Sequence, residues 1–206
     1  MTIAVVDYGM GNVRSLTNAL EYFGCDVVVT DEPAVLEEAD RIVLPGVGAF
    51  GDAMKAIRER GLEDVLTRQA MVVRKPILGI CLGMQLFAQS SDEHGEHRGL
   101  GWLDADIKRL TVRSPLKVPH VGWNEIEFPD DDWLFRRLRR DEANFYFVHS
   151  YHMVCNDASD VVATTDYGRP VTAVVRRGNL VASQFHPEKS QDNGLRLLQN
   201  WVAWTP

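Results

Sequence analysis

Cysteine is scarce in this sequence of 206 residues, which contains Cys25, Cys81 and Cys155. Three scattered cysteines are too few for the disulfide framework of a small secreted domain, and an odd number leaves at least one free thiol. The start MTIAVVDYGMG has no basic region ahead of its apolar residues, so no signal peptide is expected. These features predict a cytoplasmic protein.

Long apolar runs and an excess of basic residues are also missing. No segment is long and apolar enough to cross a bilayer, and 22 basic against 29 acidic residues give a formal net charge of -7. An acidic surface of this kind suits neither nucleic acid nor an anionic membrane. The 45% of hydrophobic residues can form the core of one α/β domain. We therefore expect a single domain over residues 1–206.

The first half of the chain alternates strand and helix patterns. Helical spacing of apolar residues predicts helices from Val13 to Gly24, over PAVLEEA, and from Asp52 to Leu66 as one helix or two. Buried strands are predicted before, between and after these helices, at TIAVVDYG, CDVVVTD, RIVLPGVGAF and PILGIC. Such alternation predicts an open, mostly parallel sheet with helices on both faces.

The second half contains short strand-like segments separated by turn residues, which predicts additional antiparallel or mixed strands. A closing helix is predicted by apolar residues that share one face, Leu195, Leu198, Trp201 and Val202. The strand-like segments are DADIKRLTV, NEIEFP, NFYFVHSYHMV, DVVATTDYG, VTAVVRRG and NLVASQFHP.

Cys81 stands between two glycines at a predicted junction of strand and helix. In open α/β sheets the reactive groups collect at the carboxyl ends of the strands. The segment GICLG has the form of a nucleophile elbow with cysteine in place of serine. A helix predicted from about Met84 would direct its N-terminus at the sulfur and favour the thiolate. The alternative is a buried core cysteine, because free cysteines are among the most buried residues.

His186 is the histidine with an evident orienting partner. In QFHPEKS, Pro187 favours an extended His186 and fixes its own φ, so His186 and Glu188 can project to the same side. With Cys81 they would form a Cys-His-Glu triad of nucleophile, base and orienting carboxylate. The alternative is a surface turn with a histidine and a glutamate there by chance.

The glycine-rich loop PGVG at 45–48 follows a neighbouring predicted strand. Its backbone N–H groups and that of Leu82 can stabilise an oxyanion. A phosphate-binding loop is not indicated, because GxxxxGK[ST] is absent and Arg14 takes the place of the third glycine of a dinucleotide motif.

Metal ligation is not indicated by the spacing of the histidines. His149 and His152 are three apart on a predicted strand, which turns them to opposite faces. His94 and His97 lie in a polar loop without a nearby cysteine. We therefore expect no metal and no cofactor.

In chain order, PGVGAF, GICLGMQLF and QFHPEKS resemble the class I, or triad, glutamine amidotransferases. Those enzymes hydrolyse the side-chain amide of glutamine and pass the ammonia to a second active site. Within that family, five further segments resemble the glutaminase subunits of imidazole glycerol phosphate synthases: DYGMGN, RSLTNALEYFG, PHVGWNEI, FYFVHSYH and HPEKSQDNGLRLLQNW. The resemblance runs from the first strand to the last helix and implies a flavodoxin-like α/β fold.

The resemblance also implies roles for individual residues. Cys81 would be the nucleophile, His186 the general base and then acid, and Glu188 the residue that orients His186. An oxyanion hole is implied at Val47, Gly48 and Leu82, with a rearrangement of the Val47 peptide before its N–H points inward. Residues around the glutamine substrate would be Gly46, Gln85, Glu93, Ser150 and Tyr151.

A partner is implied as well: a (β/α)8-barrel cyclase subunit that forms a heterodimer with this chain in histidine biosynthesis and uses its ammonia. The isolated chain is then expected to have low activity. Interface positions implied by the resemblance, with core and turn roles as the alternative, are Pro119, His120, Trp123, Asn124, Tyr146 and Lys189. Competing hypotheses are a glutaminase for another synthase, such as those making anthranilate, GMP or pyridoxal phosphate, a free-standing cysteine hydrolase, and a catalytically silent binding subunit.

Overall fold

The structure, a computed structural model, describes residues 1–205 and has thirteen strands and six α-helices within them. The α-helices are α1 (Val13–Glu21), α2 (Pro33–Glu38), α3 (Phe50–Glu59), α4 (Leu62–Thr67), α5 (Leu82–Gln85) and α6 (Gln191–Ala203). The strands are β1 (Thr2–Val6), β2 (Asp26–Thr30), β3 (Arg41–Leu44), β4 (Ile77–Ile80), β5 (Ser90–Ser91), β6 (His97–Arg98), β7 (Ala105–Arg109), β8 (His120–Glu125), β9 (Asn144–His149), β10 (Tyr151–Cys155), β11 (Val161–Asp166), β12 (Pro170–Arg177) and β13 (Leu180–Ser183).

A seven-stranded mixed sheet forms the centre of the protein, in the order β11-β12-β13-β4-β3-β1-β2. The strands from β2 to β13 in this order pair in parallel, while β12 and β11 are added antiparallel at one edge. Every residue of β3 and β4 is buried, as expected for parallel strands that are covered on both faces. The predicted fold class is confirmed, including the antiparallel strands of the second half.

Each face of this sheet packs against its own apolar core. Strand alternation sends Ala4 of β1 into the core that also contains residues of α2, α3 and α4. The neighbouring residue Val5 enters the other core, where Leu20 of α1 and Trp201 of α6 pack. Helices therefore cover both faces, as the alternating pattern predicts. None of the helices in residues 1–205 has the length and apolar character needed to cross a bilayer.

Two smaller sheets carry the rest of the second half. One has the order β10-β7-β5-β6, and the other pairs β8 with β9. The segment NFYFVHSYHMV, predicted as one strand, bends at Ser150 and becomes β9 and β10 in different sheets. The strand predicted at NEIEFP lies earlier in the chain than expected. Strand β8 ends at Glu125, and Ile126 and Phe128 beyond it are buried in the core.

The helices differ from prediction at two places. The helix predicted from about Met84 begins at Leu82 and ends at Gln85 after a single turn. In α6 the buried positions include Leu197, which the prediction omitted, whereas Leu195 and Val202 are half-buried. The segment from Asp52 to Leu66 forms two helices, one of the two arrangements that the spacing allowed.

Gly83 allows the single turn of α5 to lie against the end of β3. A Cβ atom at residue 83 would overlap the carbonyl oxygen of Leu44, so no larger residue fits without a shift of the backbone. This close contact fixes where the chain turns after Cys81.

We predict that Gly83→Ala lowers the free energy of unfolding by about 1–3 kcal/mol, because the added methyl group overpacks the contact between α5 and β3. Urea unfolding of the purified chain measures the loss. Gly11→Ala is the matched control: its Cβ would meet Pro45 at 3.4 Å, an ordinary contact, and should change stability by less than about 0.5 kcal/mol. Equal stability of the two variants would contradict the tight contact.

Candidate active site

Cys81 occupies a strained turn at the carboxyl end of β4. Its φ of 54° and ψ of -109° lie where residues other than glycine are rare, and such a conformation costs about 1–3 kcal/mol. Two backbone hydrogen bonds hold it: the Cys81 N–H donates to Ser183 O at 2.8 Å, and the Gln85 N–H donates to Cys81 O at 3.2 Å. The sharp turn predicted for this cysteine is present.

His186 follows β13, the parallel neighbour of β4, so both residues emerge at the same edge of the sheet. Its backbone is extended, with φ -98° and ψ 96°, as Pro187 predicts. The His186 Nδ1 lies 2.8 Å from Glu188 Oε1, and both side chains are 3% exposed. The backbone of His186 is also held in place, because its N–H donates to Tyr146 O at 3.0 Å.

The electrostatics of His186 depend on Cys81 and Glu188. Burial is the largest influence and lowers the pKa of His186, but hydrogen bonding and charge interactions with Cys81 and Glu188 outweigh it and raise the pKa to about 9. The buried Nε2 has no aligned hydrogen-bond partner among residues 1–205. It is therefore the ring nitrogen that is free to exchange a proton with the sulfur or with a substrate.

A cleft of about 380 Å³ opens at this edge of the sheet, within the size range of small-molecule sites. Val148 and His149 also line it, and neither was predicted as a site residue. Gly46 and Glu188 lie behind the cleft, around a smaller cavity. The predicted site and interface residues that line the cleft are Val47, Gly48, Cys81, Leu82, Gln85, Glu93, Pro119, Ser150, Tyr151, His186 and Lys189.

At two of the three positions predicted for the oxyanion hole, Val47 and Leu82, the backbone N–H is engaged elsewhere. The Val47 N–H donates to Met10 O at 3.2 Å, and the Leu82 N–H donates to Gly46 O at 3.4 Å. Both bonds use the one peptide between Gly46 and Val47. In this conformation neither N–H is free for a ligand, and a rotation of that peptide would release both.

Tyr8 supports the same loop from below. Its side chain is buried, and its hydroxyl donates to Pro45 O at 2.8 Å. Burial, and then the charge of Cys81, raise the pKa of Tyr8 far above its usual value. The neutral hydroxyl group of Tyr8 therefore holds Pro45, the residue before Gly46, in place.

Polar side chains at the cleft and behind it are hydrogen-bonded to one another. The Gln85 Nε2 donates to Tyr151 O at 3.0 Å and to Gln184 Oε1 at 3.1 Å, and the Gln184 Nε2 donates to Cys81 Sγ at 3.8 Å. Gln184 was not among the site residues predicted from the sequence. The available signal was strand alternation, which places residue 184 on the same side as His186.

Glu93 connects the cleft to the start of α3. Its carboxylate accepts a hydrogen bond of 2.6 Å from the N–H of Phe50, the first residue of that helix. A carboxylate at this position satisfies a free N–H and complements the positive end of the helix dipole. It also limits movement just after Gly48.

The residues predicted at a partner interface separate into two groups. Trp123 is 49% exposed and lies edge-on to Tyr146, with ring centroids 6.1 Å apart. His120, by contrast, is 3% exposed and stacked on Tyr167 at 3.9 Å, so its ring does not reach the surface. Asn124 donates to Asp166 O at 2.9 Å within the chain.

His120 and His149 form a buried pair beside the cleft. The His149 Nδ1 lies 2.9 Å from Tyr151 O, and its Nε2 lies 3.0 Å from His120 Nδ1. Because a carbonyl can only accept, His149 carries its proton on Nδ1 and accepts from His120. Burial lowers the pKa of His120 to about 4 and, with lesser effects from neighbouring histidines, that of His149 to about 3.

No cluster of three or more His, Cys, Asp or Glu side chains in the described part of the chain could hold a metal ion. His149 and His152 belong to different strands, and the Nε2 of His152 lies 2.8 Å from Arg169. Burial, followed by the charge of Arg169, lowers the pKa of His152 to about 4. The Nε2 atoms of His149 and His152 are therefore both hydrogen-bonded within the protein.

Comparison with known proteins identifies close relatives. The family model "Glutamine amidotransferase class-I" matches residues 4–203. Imidazole glycerol phosphate synthase subunit HisH 2 of Nitrobacter winogradskyi is 48% identical to the chain, over 99% of this chain and 99% of the relative. Subunit HisH of the same synthase from Aquifex aeolicus is 49% identical, over 98% of this chain and 96% of the relative.

Solved structures share the fold at lower identity. A crystal structure of a glutamine amidotransferase superposes with a TM-score of 0.70 at 22% identity, covering 97% of this chain and 99% of the other. PurLQS from Thermotoga maritima gives a TM-score of 0.73 at 22% identity, covering 98% and 97%. At this identity the structures show the shared fold alone.

The buried histidines predict how stability depends on pH. His149 has a folded-state pKa of about 3 against an ordinary value of 6.5, so the unfolded chain takes up the proton first. Its contribution to stability is therefore complete above pH 6.5 and is lost as the pH falls toward 3. His186 has a raised pKa, so its own contribution is complete below pH 6.5 and is lost as the pH rises through about 9.

In the wild-type chain the free energy of unfolding should fall as the pH falls from 6.5 to 4. We predict that His149→Gln makes this fall smaller, by at most about 3 kcal/mol, because residue 149 no longer takes up a proton on unfolding. Urea unfolding at half-unit pH steps measures the slope. His94→Gln, at an exposed loop position, is the control and should keep the wild-type slope. An unchanged slope in His149→Gln would mean that this histidine is not held neutral by burial.

Proposed function

The chain belongs to the class-I glutamine amidotransferase family, and on that premise we propose that it is the glutaminase subunit of an imidazole glycerol phosphate synthase in histidine biosynthesis. In this role it hydrolyses glutamine to glutamate and ammonia and passes the ammonia to a separate (β/α)8-barrel cyclase subunit. The full-length relatives named HisH support the role as a subunit. The observation that carries the chemistry is the strained Cys81 in one cleft with His186, whose Nδ1 lies 2.8 Å from Glu188.

The proposed reaction proceeds in two halves. The Cys81 thiolate attacks the carboxamide carbon of glutamine, and the His186 Nε2 gives a proton to the nitrogen as the C–N bond breaks and ammonia leaves. A glutamyl thioester remains on Cys81. His186, now neutral, takes a proton from water, which attacks the thioester, and the sulfur leaves as a thiolate when glutamate is released.

Glu188 has two effects on this cycle. Its carboxylate accepts from Nδ1 and thereby presents Nε2 to the sulfur. Its charge also stabilises the imidazolium form, which contributes to the raised pKa of His186. A thiolate and imidazolium pair at neutral pH is the ground state that the first half-reaction requires.

We propose that the peptide between Gly46 and Val47 controls the rate. While its carbonyl accepts from Leu82 and its N–H donates to Met10, the oxyanion of the tetrahedral intermediate has neither donor. Rotation of this peptide would free the Leu82 N–H and redirect the Val47 N–H. One lost oxyanion donor costs a factor of about 10²–10³ in rate, so the isolated chain is expected to be slow.

The cyclase is proposed to bind at the mouth of the cleft. Val121 and Trp123 of β8 are 56% and 49% exposed, and Pro119 and Lys189 line the cleft nearby. Exposed aromatic and aliphatic side chains of this kind are typical of protein interfaces. A partner on this face would cover the cleft and receive the ammonia without release to solvent.

The test is glutamate release from glutamine by the purified chain, alone and with an imidazole glycerol phosphate synthase cyclase subunit plus its nucleotide substrate. We expect slow hydrolysis alone and a rise of about 10²-fold or more with the liganded cyclase. Cys81→Ala should abolish the activity because the nucleophile is lost, whereas Cys155→Ala, the matched thiol control, should retain it. A high rate that does not depend on the cyclase would contradict the partner assignment. Absence of hydrolysis both with and without the cyclase would contradict the glutaminase activity.

Glu188→Gln is expected to lower kcat by about 10²–10⁴-fold, because His186 loses both its orientation and the charge that stabilises its protonated form. The pH profile of kcat/KM should move to lower pH, since the pKa of His186 falls without the carboxylate. Steady-state kinetics of the complex measure both effects. Glu63→Gln, which removes a half-buried carboxylate paired with Arg58, is the control and should leave the profile in place.

A further inference from the structure

Gln184 is a fully buried polar residue between β13 and His186, and none of the roles above includes it. Its backbone N–H donates to Ala173 O at 2.8 Å, which extends the pairing of β13 with β12. Its side chain extends toward Cys81, 103 positions away in sequence, and its Nε2 lies 3.8 Å from the sulfur. Burial of an amide is costly unless its polar atoms form hydrogen bonds, so the partners of this side chain matter.

The orientation of the Gln184 amide is set by a chain of donors that starts at a backbone carbonyl. Tyr151 O can only accept, so the Gln85 side-chain nitrogen must face it, at 3.0 Å. The second N–H of Gln85 then points to Gln184 Oε1 at 3.1 Å. With its oxygen thus occupied, Gln184 presents its NH₂ group to Cys81 Sγ.

From this geometry we infer that Gln184 is a further catalytic residue, whose side-chain N–H donates to the Cys81 sulfur and favours its thiolate form. The inference rests on the proposed function, which makes Cys81 the nucleophile. An amide N–H can only donate, so it stabilises a thiolate more than a thiol. The carbonyl oxygen of Val148 lies 4.0 Å from the sulfur and would accept the proton of a thiol.

The other sources of stabilisation for a thiolate are reduced in this fold. Helix α5 has only four residues, so its dipole is small compared with that of a long helix. The Leu82 N–H at its start donates to Gly46 O. Among the described residues, Gln184 acts on the sulfur through a hydrogen bond and His186 through its charge.

The titratable groups around the sulfur are accounted for. His186 interacts with it directly, with Glu188 behind. Tyr8 also interacts with it by charge, but its hydroxyl proton is given to Pro45 O. The remaining titratable groups of the same cleft are Glu93, His149, Tyr151 and Lys189.

The proposed hydrogen bond also acts in the second half-reaction. When water has attacked the thioester, the C–S bond breaks and its electron pair returns to the sulfur. A donor within reach of the sulfur stabilises this leaving thiolate, whereas a neutral thioester sulfur is a poor acceptor. Gln184 would thus act more strongly on the charged states than on the acyl-enzyme, as differential stabilisation requires.

The test is the rate of alkylation by iodoacetamide across pH 5–10 in the full chain, independent of glutamine turnover. Subtraction of the rate in Cys81→Ser removes the reaction of Cys25 and Cys155. We expect the midpoint of the Cys81 profile to move up by about one pH unit in Gln184→Met, because one hydrogen bond to a charged group is lost. Gln184→Glu, which also introduces an acid beside the sulfur, should move it further.

Asn179→Ala is the matched control, because Asn179 is a buried amide at the opposite end of β13 that donates to Ala70 O and Lys75 O. It should lower stability without moving the midpoint. An unchanged midpoint in both folded Gln184 variants would overturn the inference and make Gln184 a packing residue.

A measurement on the wild-type chain covers the case in which the Gln184 variants do not fold. The assigned side-chain NH₂ resonances of Gln184 should titrate with the alkylation midpoint, and this titration should be absent in Cys81→Ser. Absence of a titration in the wild type would also overturn the inference. If the midpoint depends on Gln184 but no glutamine is hydrolysed, the hydrogen bond to the sulfur stands, whereas the proposed function fails and with it the catalytic role of Gln184. If glutamine is hydrolysed and the midpoint does not depend on Gln184, this inference alone fails.

Discussion

Parallel pairing between β4 and β13 brings the two halves of the candidate site together. Ile80 and Ser183 are partners in this register, so the residues that follow each strand, Cys81 on one and Gln184 and His186 on the other, emerge at the same edge of the sheet. The Cys81 N–H donates to Ser183 O, which extends the pairing into the strained turn. A shift of this register by one residue would direct Gln184 and His186 to the opposite face.

The strain at Cys81 persists because the residues around it are closely packed. Gly83 permits α5 to touch β3, and Gly46 lies where a side chain would collide with the Tyr8 hydroxyl and with Leu82. Packing of this density offers the chain few ways to relax. The same contacts that hold the sulfur at the surface of the cleft also hold the neighbouring loop, so nucleophile and loop are coupled mechanically.

The hydrogen bonds at the site form two groups. The first group runs from His120 through His149 and the Tyr151 carbonyl to Gln85, Gln184 and the sulfur, and each N–H in it has its own acceptor. The second group lies at the peptide between Gly46 and Val47, whose N–H donates to Met10 O at 3.2 Å and whose carbonyl accepts from the Leu82 N–H at 3.4 Å. In the proposed function, the groups that carry the chemistry are in place in this conformation, and the two oxyanion donors become available when the peptide rotates.

The sequence by itself determined features that depend on neighbouring residues along the chain. Buried apolar runs located β1 to β4, and helical spacing located the helices between them. The segment His186-Pro187-Glu188 predicted that the histidine and the glutamate project to the same side, and their side chains lie 2.8 Å apart. Only the tertiary structure decided which strands pair, and with that the split of β9 from β10, the single turn of α5, the burial of His120 and the contact of Gln184 with Cys81. The physical reason is that local geometry fixes backbone dihedrals and side-chain directions over a few residues, whereas a hydrogen bond across 103 positions depends on the packing of the whole sheet.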